Sequence, residues 1–347
     1  MHRFKEILFI ADGDIGERSA LARALDLAES NGARLTLMDV LEVEKPPSTD
    51  PKLISSVEFL QDTLVADRRD ELERVLAPIV REHPPDPVTV EVHVGSPATE
   101  VIRAVMLKKY DLVMKAINGN MGKLQMVFGS TDLTLMRKCP CPVWIVQGSS
   151  RKRYRRVLAA VDMNPNKPEA ESLARLIMPL ATSIANQEKS ELHVVKVWRV
   201  LAEAKLRGRQ ISARKVDALI HEIEQAHLKG LVRLLSDYPY SERTLHLLQG
   251  HPGKLIPDLV KMLEIDLVVI GTVGRGGIPG LIIGNTAEKI LSAVDCSVLT
   301  VKPEGFETPI EVKGGGQYSS SGDRPEVSER VRRGNSGPAG IRAISGR

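Results

Sequence analysis

The sequence predicts an α/β fold made of two tandem domains, each a five-stranded, mostly parallel sheet with helices on both faces. Three observations carry this prediction. Short aliphatic runs alternate with longer helical periods, the whole alternation occurs twice, and the composition suits strands buried on both sides. Of 347 residues, 42% are hydrophobic but only 3% aromatic, so the core is built from Val, Ile, Leu, Ala and Met. Parallel strands covered by helices read as such continuous aliphatic runs.

In the first copy, residues 7–11 form a strand, and 17–30 a helix with Leu21, Leu25 and Ala28 on one face. Residues 35–40 give the second strand. Residues 53–80 carry helical periods, first Val57, Leu60 and Leu64, then Leu72, Val75 and Ile79. Residues 88–94 alternate as a third strand, 98–109 form a helix, 112–116 a fourth strand, and a helix from about Thr131 leads into a last strand at 143–146.

The second copy repeats this order. Tyr110-Asp111-Leu112-Val113 returns as Ile265-Asp266-Leu267-Val268, an offset of 155 residues. The same offset carries Gly129-Ser130-Thr131 onto Gly284-Asn285-Thr286, Cys141-Pro142-Val143 onto Cys296-Ser297-Val298, and Gly95-Ser96-Pro97 onto Gly250-His251-Pro252. At the starts, residues 7–12 match 157–162 with an offset of 150, and a surface loop absorbs the difference. The domains are therefore 1–150 and 151–303. Residues 304–347 turn to Gly, Ser, Arg and Glu and are expected to be a disordered tail. Between the domains, Arg151 to Arg156 reads as a solvated basic linker running into a sheet edge.

A net charge of +4, with bases and acids interspersed, argues against nucleic-acid binding as the main business. Cys139, Cys141 and Cys296 form no disulfide framework and fit a reducing compartment. The N-terminal apolar run is cut short by Asp12 and Asp14, and no run approaches a membrane span, so a cytoplasmic protein without membrane attachment is expected.

In open α/β sheets ligands bind beyond the carboxyl ends of the strands, where strand order reverses. In the second copy the segment after strand four reads Gly271, two residues, Gly274, nine residues, then Gly284-Asn285-Thr286. Asn285 and Glu288 have the form of a helix-capping box, and free amides at that helix start would suit a phosphate. Arg275 adds a cation. The alternative is a glycine loop that only makes a tight connection. In the first copy the matching positions are Ala116, Gly119, Gly129 and Ser130, with Asp132 in the first helical turn and bulkier residues between.

This arrangement resembles the universal stress protein family, whose nucleotide motif is Gly, two residues, Gly, nine residues, Gly, then Ser or Thr. Asn285 departs from that hydroxyl. The Asp ending strand one (Asp12, Asp162), the Gly-x-Pro helix starts and the Arg137-Lys138-Cys139-Pro140 run also match, most closely in the tandem E-type branch. The resemblance covers residues 3 to about 312. It implies Rossmann-like domains of the adenine-nucleotide α-hydrolase-like kind, final strands that pair with one another, and ATP, with Mg as its counter-ion, as cofactor of the second copy. By position, Asp162 and Val197 would stand near adenine and ribose, and Gly271, Gly274, Arg275, Gly284, Asn285 and Thr286 around the phosphates. For Asp12 and Asp162, a turn-forming role is the other reading.

No phosphate-loop lysine motif, nucleophile elbow, metal cluster or carboxylate pair occurs, so a non-enzymatic binding protein is expected. Cys139-Pro140-Cys141 admits redox or metal chemistry, but Val294 and Cys296 at the equivalent places favour apolar packing into a buried strand. The function expected is stress-response nucleotide sensing through domain 2, on behalf of a protein partner not named by the sequence. The alternative is a module that binds an apolar ligand or a protein along residues 53–80 and 211–235, and homodimers fit either reading.

Overall fold

The computed structural model of the chain describes residues 4–12, 18–43, 50–82, 88–117, 128–147, 153–163, 168–200, 212–238, 244–272 and 284–312. The first copy runs β1 (Glu6–Ile10), α1 (Arg18–Asn31), β2 (Arg34–Leu41), α2 (Pro51–Glu82), β3 (Val88–Val94), α3 (Pro97–Lys108), β4 (Leu112–Ala116), α4 (Ser130–Lys138) and β5 (Val143–Val146). The second runs β6 (Arg156–Ala160), α5 (Pro168–Glu188), β7 (Glu191–Trp198), α6 (Ala213–Leu235), β8 (Leu245–Gln249), α7 (Pro252–Met262), β9 (Leu267–Gly271), α8 (Asn285–Leu291) and β10 (Ser297–Val301).

The ten strands form one sheet in the order β3-β2-β1-β4-β5-β10-β9-β6-β7-β8. Pairing is parallel within each copy and antiparallel at the single seam, where Val298, Leu299 and Thr300 oppose Ile145, Trp144 and Val143. Each copy thus covers the edge strand of the other, removing two open ladders that invite aggregation. Alternate residues of each strand feed opposite faces. Ile7, Phe9, Trp144 and Leu299 join one apolar layer, while Leu8, Ile10, Ile145 and Val298 join the other, and both layers run across the seam.

The repeat extends to its fasteners. Asp111 accepts backbone N–H bonds from Lys5 and Glu6, and Asp266 accepts them from Arg155 and Arg156, tying the start of the first strand to the fourth in each copy. Gly95 and Gly250 end the third strands at φ 147° and 151°, a backbone conformation that a side chain rarely adopts. A Cβ there would also meet Glu100 Cγ at 2.9 Å or Leu255 Cδ1 at 2.7 Å, so both positions require glycine.

The expected solvated linker is corrected. Arg156 opens β6, an interior strand flanked by β9 and β7, and Tyr154 is buried under the Arg23 guanidinium, 3.8 Å from its ring centroid. Arg23 of α1 pairs with Glu188 of α5, which also accepts the Tyr154 N–H, so an aromatic ring and a buried ion pair lock the copies together. Past β10, Ile310 packs on the core and Glu311 accepts a bond from Arg103. Contacts with the body therefore continue to 312, and the rest of the expected tail lies outside the described residues.

Candidate functional site

In the second copy strand order reverses between β6 and β9. Chain leaving β6 turns at exposed Asp162, and β9 ends on Gly271 beside it. Val197, near the end of β7, is half-buried and packs on the apolar layer. Gly284 precedes α8, and Asn285 and Thr286 are exposed in its first turn. Gly274 and Arg275 lie outside the described residues.

Gly271 is required by packing. A Cβ on it would lie 2.1 Å from Cδ2 and 2.6 Å from Cγ of Leu173 on α5, which is buried over the strand end. The expected capping box is overturned. Gly284, not Asn285, is the N-cap, so Asn285 already has helical backbone and its side chain makes no cap bond. Glu288 is drawn away by Arg137 of α4 in the other copy.

Two side chains not singled out in the sequence, Lys196 and His227, stand close to Asp162. Lys196, fully buried in β7, donates to the Met163 carbonyl, which directly follows Asp162. Trp198 and His227 of α6 have ring centroids 5.4 Å apart. Burial lowers the His227 pKa, Lys196 lowers it further, and Asp162 opposes both. Burial, with His193 alongside, lowers that of His246. A histidine that resists protonation in the fold takes up fewer protons there than in the unfolded chain, so its contribution to stability is complete above the ordinary histidine range and lost as pH falls through it. Between pH of about 7.5 and about 5.5, the unfolding midpoint of His227→Phe should therefore fall less than that of the wild type. Parallel decline of the two would contradict the placement of His227.

The first copy solves the same corner differently. Lys115 at the end of β4 is buried, and its Nζ lies 2.9 Å from Asp132 Oδ1 and 2.9 Å from Asp12 Oδ2. Asp132 also accepts the Gly129 N–H at 2.9 Å, so its carboxylate occupies the helix start that a phosphate would need. Burial would lower the Lys115 pKa, but Asp132 and then Asp12 outweigh it and raise it. Copy two has Ile270 and Ala287 at these places, so neither Lys115 nor Asp132 has a counterpart at its equivalent position. A cavity of about 370 Å³ lies at the opposite ends of the strands, among Tyr154, Asp266 and Ser297, away from this corner.

No helix among the described residues is long and apolar enough to cross a membrane. Comparison with known proteins agrees with the duplicated architecture. The model of the universal stress protein family matches the chain twice, over residues 3–147 and 153–302. The chain is 26% identical over 318 residues to Universal stress protein E of Escherichia coli K12, covering 90% of this chain and 98% of that protein. It is 26% identical over 311 residues to a Universal stress protein E homolog of Haemophilus influenzae, covering 87% and 98%. A putative universal stress protein structure from Pseudomonas aeruginosa UCBPP-PA14 superposes with a TM-score of 0.65 at 26% identity, covering 87% of this chain and 94% of that one. With two matched copies, one continuous sheet and the glycine-bearing corner in each, the chain belongs to the universal stress protein family as a tandem member.

Proposed function

We propose that this protein is a non-enzymatic stress-response binding protein of the cytoplasm that takes up ATP, with Mg²⁺ as the nucleotide's counter-ion, in its second copy. The observation that carries the reading is the contrast between the copies. Lys115 and Asp132 fill the corner of copy one with an internal ion pair, whereas Ile270 and Ala287 leave that of copy two without it. Asp162 and Val197 face the adenine and ribose in this reading. In this reading the backbone at Gly271 and Gly284 would approach the phosphates, Gly274 and Arg275 would complete the motif by their place in the sequence, and Asn285 and Thr286 would donate hydrogen bonds. When bound, Mg²⁺ would serve as the nucleotide's counter-ion and shield its charge.

The non-enzymatic part rests on Glu288. It is the only residue in 271–290 suited to activating a water, and its carboxylate is held by Arg137. Equilibrium dialysis with labelled ATP and magnesium tests the reading: the wild type should retain ATP and Gly274→Asp should not. Equal retention, or none by either, would defeat it.

A second reading draws on α2, where Leu53, Val57, Leu60 and Leu64 form one stripe and Leu60 is 58% exposed beside Phe59 at 71%. Such a face fits an apolar ligand or a protein partner. Native mass spectrometry that finds a co-purified apolar molecule, with no ATP retained, would favour it.

A further inference from the structure

Cys139 and Cys141 flank Pro140 where α4 hands over to β5, and their sulfurs stand 3.5 Å apart. That is about 1.5 Å beyond a disulfide bond. Cys139 is fully buried and Cys141 is 9% exposed at the edge of the layer. From the other copy, Lys302 follows β10 and is buried against the pair, donating to the Met136 carbonyl and, at 2.6 Å, to Thr272 Oγ1. We propose that Cys139 and Cys141 are a peroxide-oxidisable dithiol that closes to a reversible intrachain disulfide, with Lys302 as the positioning cation.

The geometry divides the roles. Burial alone would raise the Cys139 pKa, but the Cys141 thiol and backbone N–H donate to its sulfur and Lys302 lies near, and together they bring it down. The hydrogen bond with Cys139, then burial, hold Cys141 as the thiol. Burial pushes the Lys302 pKa down to about 8, against the pull of the two sulfurs. The thiolate is the nucleophile in thiol oxidation. Cys139 sulfur therefore attacks one oxygen of hydrogen peroxide. An S–O bond forms, the O–O bond breaks, and hydroxide leaves to take a proton as water. Cys141 sulfur then attacks the resulting sulfenic acid. The S–S bond forms, the S–O bond breaks, and the departing hydroxide leaves as water with the Cys141 proton. Two thiols have lost two electrons and one peroxide has become two waters, and an external thiol reverses the change.

Cys296 is the internal control. It is buried at the place equivalent to Cys141, but Val294 stands where a partner sulfur would be, and burial raises its thiol pKa. Because Thr272 directly follows Gly271, Lys302 also connects the sulfur pair to the strand end of the copy-two glycine motif.

The test uses the full chain, treated with hydrogen peroxide, unfolded and alkylated. Reduced protein should take three labels. Oxidised protein should take one, on Cys296, and be lighter by two hydrogens before labelling, with dithiothreitol restoring all three. Cys141→Ser should leave a sulfenic acid on Cys139 that dimedone traps. Lys302→Met should slow closure about tenfold, through a smaller thiolate fraction, and Lys302→Arg should restore it. Three labels persisting after oxidation, a bridge between chains, or irreversible oxygen addition to either cysteine would overturn the proposal. So would an unchanged rate in a folded Lys302→Met.

Discussion

Replacing Lys115 with methionine is expected to destabilise the protein by about 3–5 kcal/mol, because a buried carboxylate loses its partner. The side chains of Lys115 and Asp132 are 3% and 4% exposed, so water cannot replace the missing charge at Asp132. Asp12 should contribute less, being 45% exposed. Lys115→Met/Asp132→Ala removes both members of the buried pair and should recover most of the loss, whereas independent effects would add. Urea unfolding midpoints of the two single variants and the double measure this directly. The raised Lys115 pKa gives the effect a pH signature. The ion-pair contribution is complete at neutral pH, below the ordinary lysine value, and is lost as pH rises through the still higher value in the fold. An unfolding midpoint insensitive to Lys115→Met would show that copy one does not depend on this internal pair.

Gly271→Ala is expected to cost about 1–3 kcal/mol, the usual price of overpacking a filled site. The added carbon would stand 2.1 Å from Leu173 Cδ2, and Leu173 is itself buried. Leu173→Ala alone leaves a cavity and should cost about 2–5 kcal/mol. In the double variant the cavity receives the new methyl group, so its loss should be smaller than the sum of the two. Thermal unfolding of the three variants supplies the comparison, and strict additivity would refute the packing account. Nucleotide retention by the double variant separates the two roles of this glycine: restored stability with lost ATP means that the ligand also needs the bare backbone.

Much of the architecture was legible because it is periodic. The 155-residue offset and the alternating aliphatic runs located the strands to within a residue or so, and the duplicated Gly-x-Pro steps reappear as the two left-handed glycines Gly95 and Gly250. What the sequence hid is long-range pairing. Glu288 looks like a local cap but answers to Arg137, 151 positions earlier. Tyr154 sits in a basic run that reads as solvated, yet Arg23, from α1 of copy one and 131 positions earlier, covers it. Asp132 was visible as a charge hostile to phosphate, but its neutralisation by Lys115 depends on two strand ends and a helix start meeting. Lys196 and His227 carried no motif at all, since only the packing of α6 against β7 brings them to Asp162.

Duplication followed by divergence explains the two corners. One copy has internalised the charges that hold its strand ends, and the other retains the glycine spacing with an exposed aspartate. The most direct measurement is the number of ATP molecules bound per chain at saturation, by equilibrium dialysis in magnesium. One per chain, unchanged in Ser130→Ala and abolished by Gly274→Asp, is the result expected. Two per chain, or none, would contradict the division of labour between the copies.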